Sequence, residues 1–222
     1  MALYQDYLFP RLLHISMKNS QVTRHRARII PAARGRVLEI GIGSGLNLPF
    51  YGTSVSSVDG IDLSPQLLAM ASKAVAGRHF PVTFHAESAE RLPFDDGTFD
   101  TVVSTWTLCS IADWSAALAE IRRVLKREGA MLFIEHGRAP EEAVARWQDR
   151  LTPFWRRCAG GCHLDRDIGA MVQQSGFRLG KLETGYMIKG PRVLTWHYEG
   201  MAHPRRRGCN VEPRQFAAGV ER

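Results

Sequence analysis

A glycine-rich segment, Arg36 to Asn47, constrains the fold of this chain more than any other stretch. A short apolar, β-type run there stops at three alternating glycines: Val37, Leu38 and Ile40, then Gly41, Gly43 and Gly45. This order predicts a strand, a tight turn and a first helix beginning over Leu46 to Tyr51. Glycine accepts positive φ and, without a Cβ, lets a ligand approach the backbone closely, so the turn is a candidate nucleotide site.

The spacing of the glycines distinguishes between kinds of nucleotide site. The dinucleotide fingerprint needs its third glycine three residues after the second, where this chain has Leu46. Glu39 lies at the end of the predicted strand, two residues before Gly41, and its carboxylate suits a ligand with a cationic amino-acid tail better than a diphosphate. The Glu39-x-Gly41-x-Gly43-x-Gly45 pattern resembles motif I of the class I S-adenosylmethionine (SAM) methyltransferases. The resemblance implies SAM as the cofactor, held by Glu39, the three glycines and Asn47.

Charge and cysteine usage limit the other function classes. The formal net charge is +7, but residues 1–36 carry +6 and residues 203–222 carry +3, which leaves −2 on the body between them. A mildly acidic body with basic ends disfavours a nucleic-acid groove and fits an anionic membrane surface or plain solubility better. The four cysteines are unevenly spread and no apolar leader opens the chain, which predicts a reduced, cytoplasmic setting. Cys158-x-x-x-Cys162-His163 has no second pair at zinc-site spacing, so we expect no metal.

The next two strands contribute further cofactor candidates. Val55 to Leu63 reads as the second strand, with Asp62 near its end, where a carboxylate can hold ribose hydroxyls, and with Leu63 beside it. Asp62 could instead merely accompany the helix start at Ser64-Pro65, whose residues are typical of an N-cap and first turn. After the third strand, Val82 to Ala86, the segment Glu87 to Phe94 resembles the acidic Leu-Pro-Phe loop of ubiquinone-type methyltransferases. That resemblance implies adenine contacts from Glu87, Ser88 and Ala89, with Ser88 in the slot of the family's acidic residue.

The ends of the fourth and fifth strands supply the catalytic candidates. Phe99 to Thr105 is a buried-type strand, and ligands bind outside the carboxyl ends of such strands, which makes Thr105 a cofactor candidate and Trp106 and Cys109 candidates for the reaction. His136 closes the strand Ala130 to Glu135, and an imidazole there suits removal of a proton near neutrality. Cys109 could also be a small buried apolar residue, and His136 an oriented but chemically silent one.

The second half of the chain narrows the resemblance. Thr107-Leu108-Cys109-Ser110, Glu135-His136, Trp147-Gln148, Pro153-x-Trp155 and Gly160-Gly161-Cys162-His163-Leu164 are similar to the thiol S-methyltransferase group, which is related to the ubiquinone-type enzymes. The similarity covers roughly residues 35–200. It implies methyl transfer to sulfide or small thiols. Animal members of that group carry a hydrophobic N-terminal anchor, whereas the apolar segment here is shorter and contains Pro10.

These patterns together predict an α/β, Rossmann-like fold with a seven-stranded, mostly parallel sheet and an antiparallel last strand. Phe177 to Thr184 and Val193 to Glu199 are the expected closing pair. Residues 1–34 form an N-terminal helical lid or an interfacial segment, residues 35–202 the SAM-binding domain, and residues 203–222 a basic, loosely ordered tail.

The expected function is SAM-dependent methylation of a small-molecule acceptor, preferably sulfide or a small thiol. A thiol needs only modest help in losing its proton, whereas a hydroxyl needs a stronger base than this chain displays. The alternatives are a lipid acceptor, such as a quinone precursor or phosphatidylethanolamine, and a SAM-binding protein without turnover. We expect no nucleic-acid partner. Any peripheral contact with a membrane is expected to be made by residues 1–30.

Overall fold

The computed structural model describes residues 8–205, whose strands form a single seven-stranded sheet. The strands are β1 (Gly35–Ile40), β2 (Val55–Ile61), β3 (Val82–His85), β4 (Phe99–Thr105), β5 (Leu125–His136), β6 (Phe177–Tyr186) and β7 (Trp196–Pro204). Their order across the sheet is β3-β2-β1-β4-β5-β7-β6. Strand β7 runs antiparallel to both of its neighbours, and the pairs among β1 to β5 are parallel. The expected Rossmann-like sheet with an antiparallel last strand is therefore confirmed.

The helices flank this sheet and most begin at side-chain caps. They are α1 (Phe9–Met17), α2 (Ser20–Ile29), α3 (Pro65–Ala74), α4 (Trp114–Val124), α5 (Glu142–Cys158), α6 (Ile168–Gln174) and α7 (Arg192–Thr195). Four N-cap side chains each accept a hydrogen bond from an N–H group in the first turn of the helix that follows: Asn19, Ser64, Asp113 and Asp167. Pro10 lies in the first turn of α1, where proline's missing N–H removes no helical hydrogen bond.

Strand β1 lies in the middle of the parallel part of the sheet, which determines where the site forms. It pairs with β2 on one side and with β4 on the other. Its last four residues are buried, as expected for a strand covered on both faces. Because parallel strands end at the same edge, the segments that follow Ile40, Ile61 and Thr105 converge there.

Two hydrophobic clusters pack on the sheet. One contains the fully buried Phe99, Phe133 and Phe177 with the apolar sides of α4 and α6. The other joins Ile30, at the end of α2, to residues of β1, β2 and the segment after the glycine turn. The end of α2 is thus connected to the sheet through buried apolar contact.

Three local expectations differ from the structure. No α-helix follows the glycine turn, because Leu48–Phe50 forms one 3-10 turn and the side chain of Tyr51 bonds inward to Glu39. Strand β7 begins at Trp196, not Val193, because α7 precedes it. Strand β5 begins at Leu125, five residues before the expected start, because Leu125 already pairs with β4.

The terminal segments limit what can be compared with the sequence. Residues 1–7 and most of the predicted tail at 203–222 lie outside the described residues, and 203–204 extend β7. Between residues 8 and 205, no helix combines the length and the apolar character that crossing a bilayer requires.

Candidate active site

The glycine turn has the backbone conformation that its sequence predicts. Gly41, Gly43 and Gly45 have φ of +67°, +56° and +77°, which side chains rarely tolerate. A Cβ on Gly41 would lie 2.2 Å from Oγ1 of Thr107, in the segment after β4. Glycine is therefore required here both by the turn and by the close approach of β4's continuation, as the expected strand order implied.

Glu39 lies beneath this turn as a buried carboxylate. Oε1 accepts a hydrogen bond from Nδ2 of Asn47 at 2.8 Å, and Oε2 accepts one from the Tyr51 hydroxyl at 2.7 Å. Burial raises the pKa of Glu39 to about 7, and the two hydrogen bonds oppose that shift. Asn47 also donates to Oγ1 of Thr105 at 3.0 Å, so three predicted cofactor residues contact one another. A ligand cation would stabilise this buried charge, as the ammonium of SAM's methionine tail can.

Arg26 from α2 reaches the same cluster, and sequence reasoning missed it. Its Nε donates to Oδ1 of Asn47 at 3.0 Å, and its guanidinium lies 4.8 Å from the centre of the Trp106 ring. Burial lowers its pKa to about 10. Arg24, Arg26 and Arg28 look alike in the sequence, and of these only Arg26 is buried. No sequence signal marks it, because its burial depends on where α2 packs.

The other N-terminal helix also touches the turn. His14 in α1 lies 2.7 Å from Oγ of Ser44, between the second and third glycines. Together with the Arg26 contacts, this bond places α1 and α2 beside the predicted cofactor site. That position is consistent with the lid interpretation of the N-terminal helices.

Two backbone N–H groups, one from the glycine turn and one from the start of α3, hold the Asp62 carboxylate. Oδ2 accepts from the Gly43 N–H at 2.9 Å and Oδ1 from the Ser64 N–H at 2.8 Å, and burial raises its pKa. Each carboxylate oxygen keeps a further lone pair, which fits the ribose hydroxyls of SAM. Asp62 thus contacts both the glycine turn and the helix start that the sequence offered as an alternative.

The remaining nucleoside candidates are Leu63 and three residues of the loop after β3. Leu63 is 73% exposed beside Asp62. Of the loop after β3, Glu87 is exposed and Ala89 is buried, while Oγ of Ser88 accepts a bond from the Glu90 N–H at 3.2 Å. The structure brings none of these side chains into a hydrogen bond with the glycine turn. Their adenine contacts stay a prediction.

The segment after β4 is held by Glu135, which sequence reasoning did not place in the site. Its carboxylate accepts bonds from the Ser104 hydroxyl at 2.7 Å and from the N–H groups of Thr107 and Cys109 at 3.2 and 3.3 Å. Burial raises its pKa to about 7. These bonds fix the segment that contains Trp106, whose φ of +53° is the only positive value at a non-glycine residue between 8 and 205. The sequence did offer one signal for Glu135, namely its position directly before the histidine that ends β5.

His136 is buried at the end of β5 with one ring nitrogen free. Its Nδ1 lies 3.5 Å from Sγ of Cys162, whereas its Nε2 is buried without a hydrogen-bond partner among the described residues. His197 from β7 lies next to it, with ring centres 5.3 Å apart, and burial lowers the pKa of His197 to about 4. The sequence did not indicate His197, because this residue reaches His136 only through the antiparallel pairing of β7 with β5.

Two chemically different halves therefore meet at one edge of the sheet. Glu39, Asn47 and Arg26 form a charged, hydrogen-bonded group after β1, while His136, with its unpartnered Nε2, lies at the end of β5. Trp106 joins the halves, since it contacts both Arg26 and His197. Residues 8–205 contain no cluster of three or more histidine, cysteine, aspartate or glutamate side chains arranged for a metal ion.

Comparisons with known proteins agree with this arrangement. A family described as "Methyltransferase domain" matches residues 38–133. Thiol S-methyltransferase TMT1B of Rattus norvegicus is 34% identical over 155 residues, which cover 66% of this chain and 62% of that protein. The chain thus spans less than two thirds of the rat protein. Phosphatidylethanolamine N-methyltransferase of Cereibacter sphaeroides is 34% identical over 137 residues, covering 58% of this chain and 67% of that protein.

A solved structure shows the same fold. A putative methyltransferase in complex with the Haloferax volcanii Trm112 methyltransferase activator superposes with a TM-score of 0.69 at 18% identity, covering 92% of this chain and 97% of that one. The sheet order, the glycine turn over Glu39 and the matched family lead to one conclusion. The chain belongs to the class I methyltransferases, whose cofactor is S-adenosylmethionine.

Proposed function

We propose that this protein transfers the methyl group of SAM to the sulfur of a small thiol or of sulfide. The observation that carries the proposal is His136, a 94% buried histidine whose Nε2 has no hydrogen-bond partner among residues 8–205. A buried polar atom without a partner is costly, so a site that leaves one open favours a ligand that fills it. The similarity to Thiol S-methyltransferase TMT1B supports sulfur as the acceptor atom.

The residues around the site have separable roles in this proposal. SAM supplies a methyl group on a sulfonium sulfur, which an acceptor displaces in line. Glu39, Asn47 and Asp62 bind and orient the cofactor, and Trp106 borders the acceptor side. Nδ1 of His136 lies 3.5 Å from the Cys162 sulfur, and with the ring proton assigned to Nδ1 in this proposal, the Nε2 lone pair is left to take the acceptor's proton. A thiol, with a pKa near 8.5, needs no stronger base.

The test is release of S-adenosylhomocysteine from SAM across a panel of acceptors, namely sulfide, small apolar thiols and matched alcohols. We expect turnover with sulfide and the thiols and none with the alcohols. His136→Ala should lower kcat while leaving S-adenosylhomocysteine affinity within about twofold, since Nε2 acts on the acceptor. His79→Ala, an exposed histidine whose ring bonds to the Gly52 carbonyl, is the matched control and should retain activity.

Several outcomes would contradict the thiol proposal. Turnover with alcohols but not thiols would exclude sulfur specificity. Binding of SAM without product from any acceptor would support the alternative of a non-catalytic SAM-binding protein. Equal kcat for His136→Ala and the wild type would remove the histidine from the mechanism.

A lipid acceptor is the second candidate, and an apolar face on α1 favours it. Leu8, Leu12 and Ile15 recur at helical spacing and are 50%, 47% and 68% exposed. Such a face beside basic residues suits the surface of an anionic membrane, and one relative is named for a phospholipid reaction. Co-sedimentation with anionic liposomes should then be lost in Leu12→Glu/Ile15→Glu. Methyl transfer confined to lipid-containing assays would favour this candidate over the thiol proposal.

A further inference from the structure

Two cysteines from distant parts of the chain meet beside His136. Cys109 follows β4 and Cys162 follows α5, yet the N–H of His163 donates to the Cys109 carbonyl oxygen at 2.8 Å. The two thiols interact with each other, and both cysteines are free. The backbone hydrogen bond joins the two segments that carry these thiols, so the cysteines are close neighbours, as a disulfide requires.

The two thiols have opposite character. Hydrogen bonds from Cys109 and His136 hold the pKa of Cys162 well below its usual value. The Cys162 hydrogen bond, burial and the negative charge of Glu135 raise the pKa of Cys109. Cys162 is partly accessible, whereas Cys109 is 1% exposed. Arg166 also interacts electrostatically with both cysteines, and the carbonyls of Leu108 and Ile111 accept hydrogen bonds from its guanidinium. A partly exposed cysteine with a lowered pKa thus lies next to a fully buried cysteine with a raised pKa.

We propose that Cys162 and Cys109 form a thiol–disulfide exchange site for low-molecular-weight disulfides. The Cys162 thiolate attacks one sulfur of the small disulfide, whose S–S bond breaks to release one small thiolate and leave a mixed disulfide on Cys162. Cys109 then attacks the Cys162 sulfur and displaces the second small thiolate, which takes the Cys109 proton. The protein dithiol is oxidised by two electrons to a disulfide, and the small disulfide is reduced to one thiol and one thiolate.

The site's position gives this exchange a use in methyl transfer. The small thiols would be released beside the ring of His136, whose Nδ1 lies 3.5 Å from Sγ of Cys162 and which is the proposed base for the acceptor. The matching disulfide would then be the oxidised form of the acceptor. This link rests on the proposed function. The exchange step does not, because it requires neither SAM nor turnover.

The test uses the full chain as Cys158→Ser/Cys209→Ser, so that the pair alone remains. The reduced protein is mixed with the aryl disulfide 5,5′-dithiobis(2-nitrobenzoate), and released thiolate and intact mass are measured. We expect two equivalents of thiolate and a protein mass lower by two hydrogen atoms. Adding Cys109→Ser should give one equivalent and one adduct on Cys162. Adding Cys162→Ser should leave the buried Cys109 unreactive until the protein is denatured.

A second measurement separates an activated thiolate from mere accessibility. Cys158 is an exposed thiol at the end of α5, and its rate of labelling in Cys109→Ser/Cys162→Ser/Cys209→Ser serves as the reference. At mildly acidic pH, Cys162 should react several-fold faster than Cys158, because more of it is thiolate. Two adducts on the folded pair, or equal rates for the two cysteines, would overturn the proposal. Exchange with no methyl transfer would leave it intact while refuting the proposed function.

Discussion

Replacing Glu39 with glutamine should change how stability depends on pH. Glu39 is 1% exposed, and its pKa in the folded protein is about 7 against 4.5 for a free carboxyl group. Because the folded pKa is the higher one, stability is greatest below pH 4.5 and is lost as the pH rises through 7. At about 1.4 kcal/mol per pKa unit, the ionised carboxylate destabilises the folded state by about 3 kcal/mol.

The glutamine variant lacks this titration. Its amide makes a different set of bonds with Asn47 and Tyr51, so the difference in slope, and not the absolute stability, is the diagnostic quantity. Between a pH below 4.5 and a pH above 7, the unfolding free energy of the wild type should fall by about 3 kcal/mol more than that of Glu39→Gln. Urea titrations at a series of pH values measure both curves. Glu142→Gln, at an 84% exposed carboxylate, should follow the wild type.

The ionised form of Glu39, which destabilises the folded protein, should favour cofactor binding. If the ammonium of the cofactor neutralises Glu39, Glu39→Gln should lose about 1.5–3 kcal/mol of S-adenosylhomocysteine affinity by calorimetry, which is about tenfold to a hundredfold. Wild-type stability at alkaline pH should rise on adding this ligand more than that of the variant. Parallel pH profiles for the two proteins would refute the burial argument, and equal affinities would refute the ammonium assignment.

Three further changes test other parts of the site. Gly41→Ala should destabilise the protein by more than about 1–2 kcal/mol in urea titrations, because the positive φ and the contact with Thr107 both oppose a Cβ. Gly185→Ala should be nearly neutral, because a Cβ there would lie in open space. Asp62→Ala should weaken S-adenosylhomocysteine binding by about 1.5–3 kcal/mol for each hydrogen bond lost, and an unchanged Kd would exclude ribose contact. Glu135→Gln should lower kcat more than cofactor affinity in the thiol assay, because the carboxylate holds the segment containing Trp106 and Cys109; equal losses in both would contradict an acceptor-side role.

The sequence by itself determined the local elements of this fold. The apolar run before Gly41 predicted the central strand and the turn with positive φ, and Ser64-Pro65 predicted the start of α3. These features follow from backbone conformation and from hydrogen bonds between residues a few positions apart, which the order of residue types records directly. The strand order then placed Thr107 beside the glycine turn, because parallel strands end at one edge.

Only the tertiary structure decided which distant side chains meet. Arg26 bonds to Asn47, Cys109 contacts Cys162, and His197 lies beside His136. Each contact joins segments whose relative position depends on how α2, the loop after α5 and the antiparallel β7 pack against the sheet. The same packing removes Glu39 and Glu135 from water and so raises their pKa values. The size of these shifts depends on how completely the whole fold excludes water, which the residues near them in the sequence do not record.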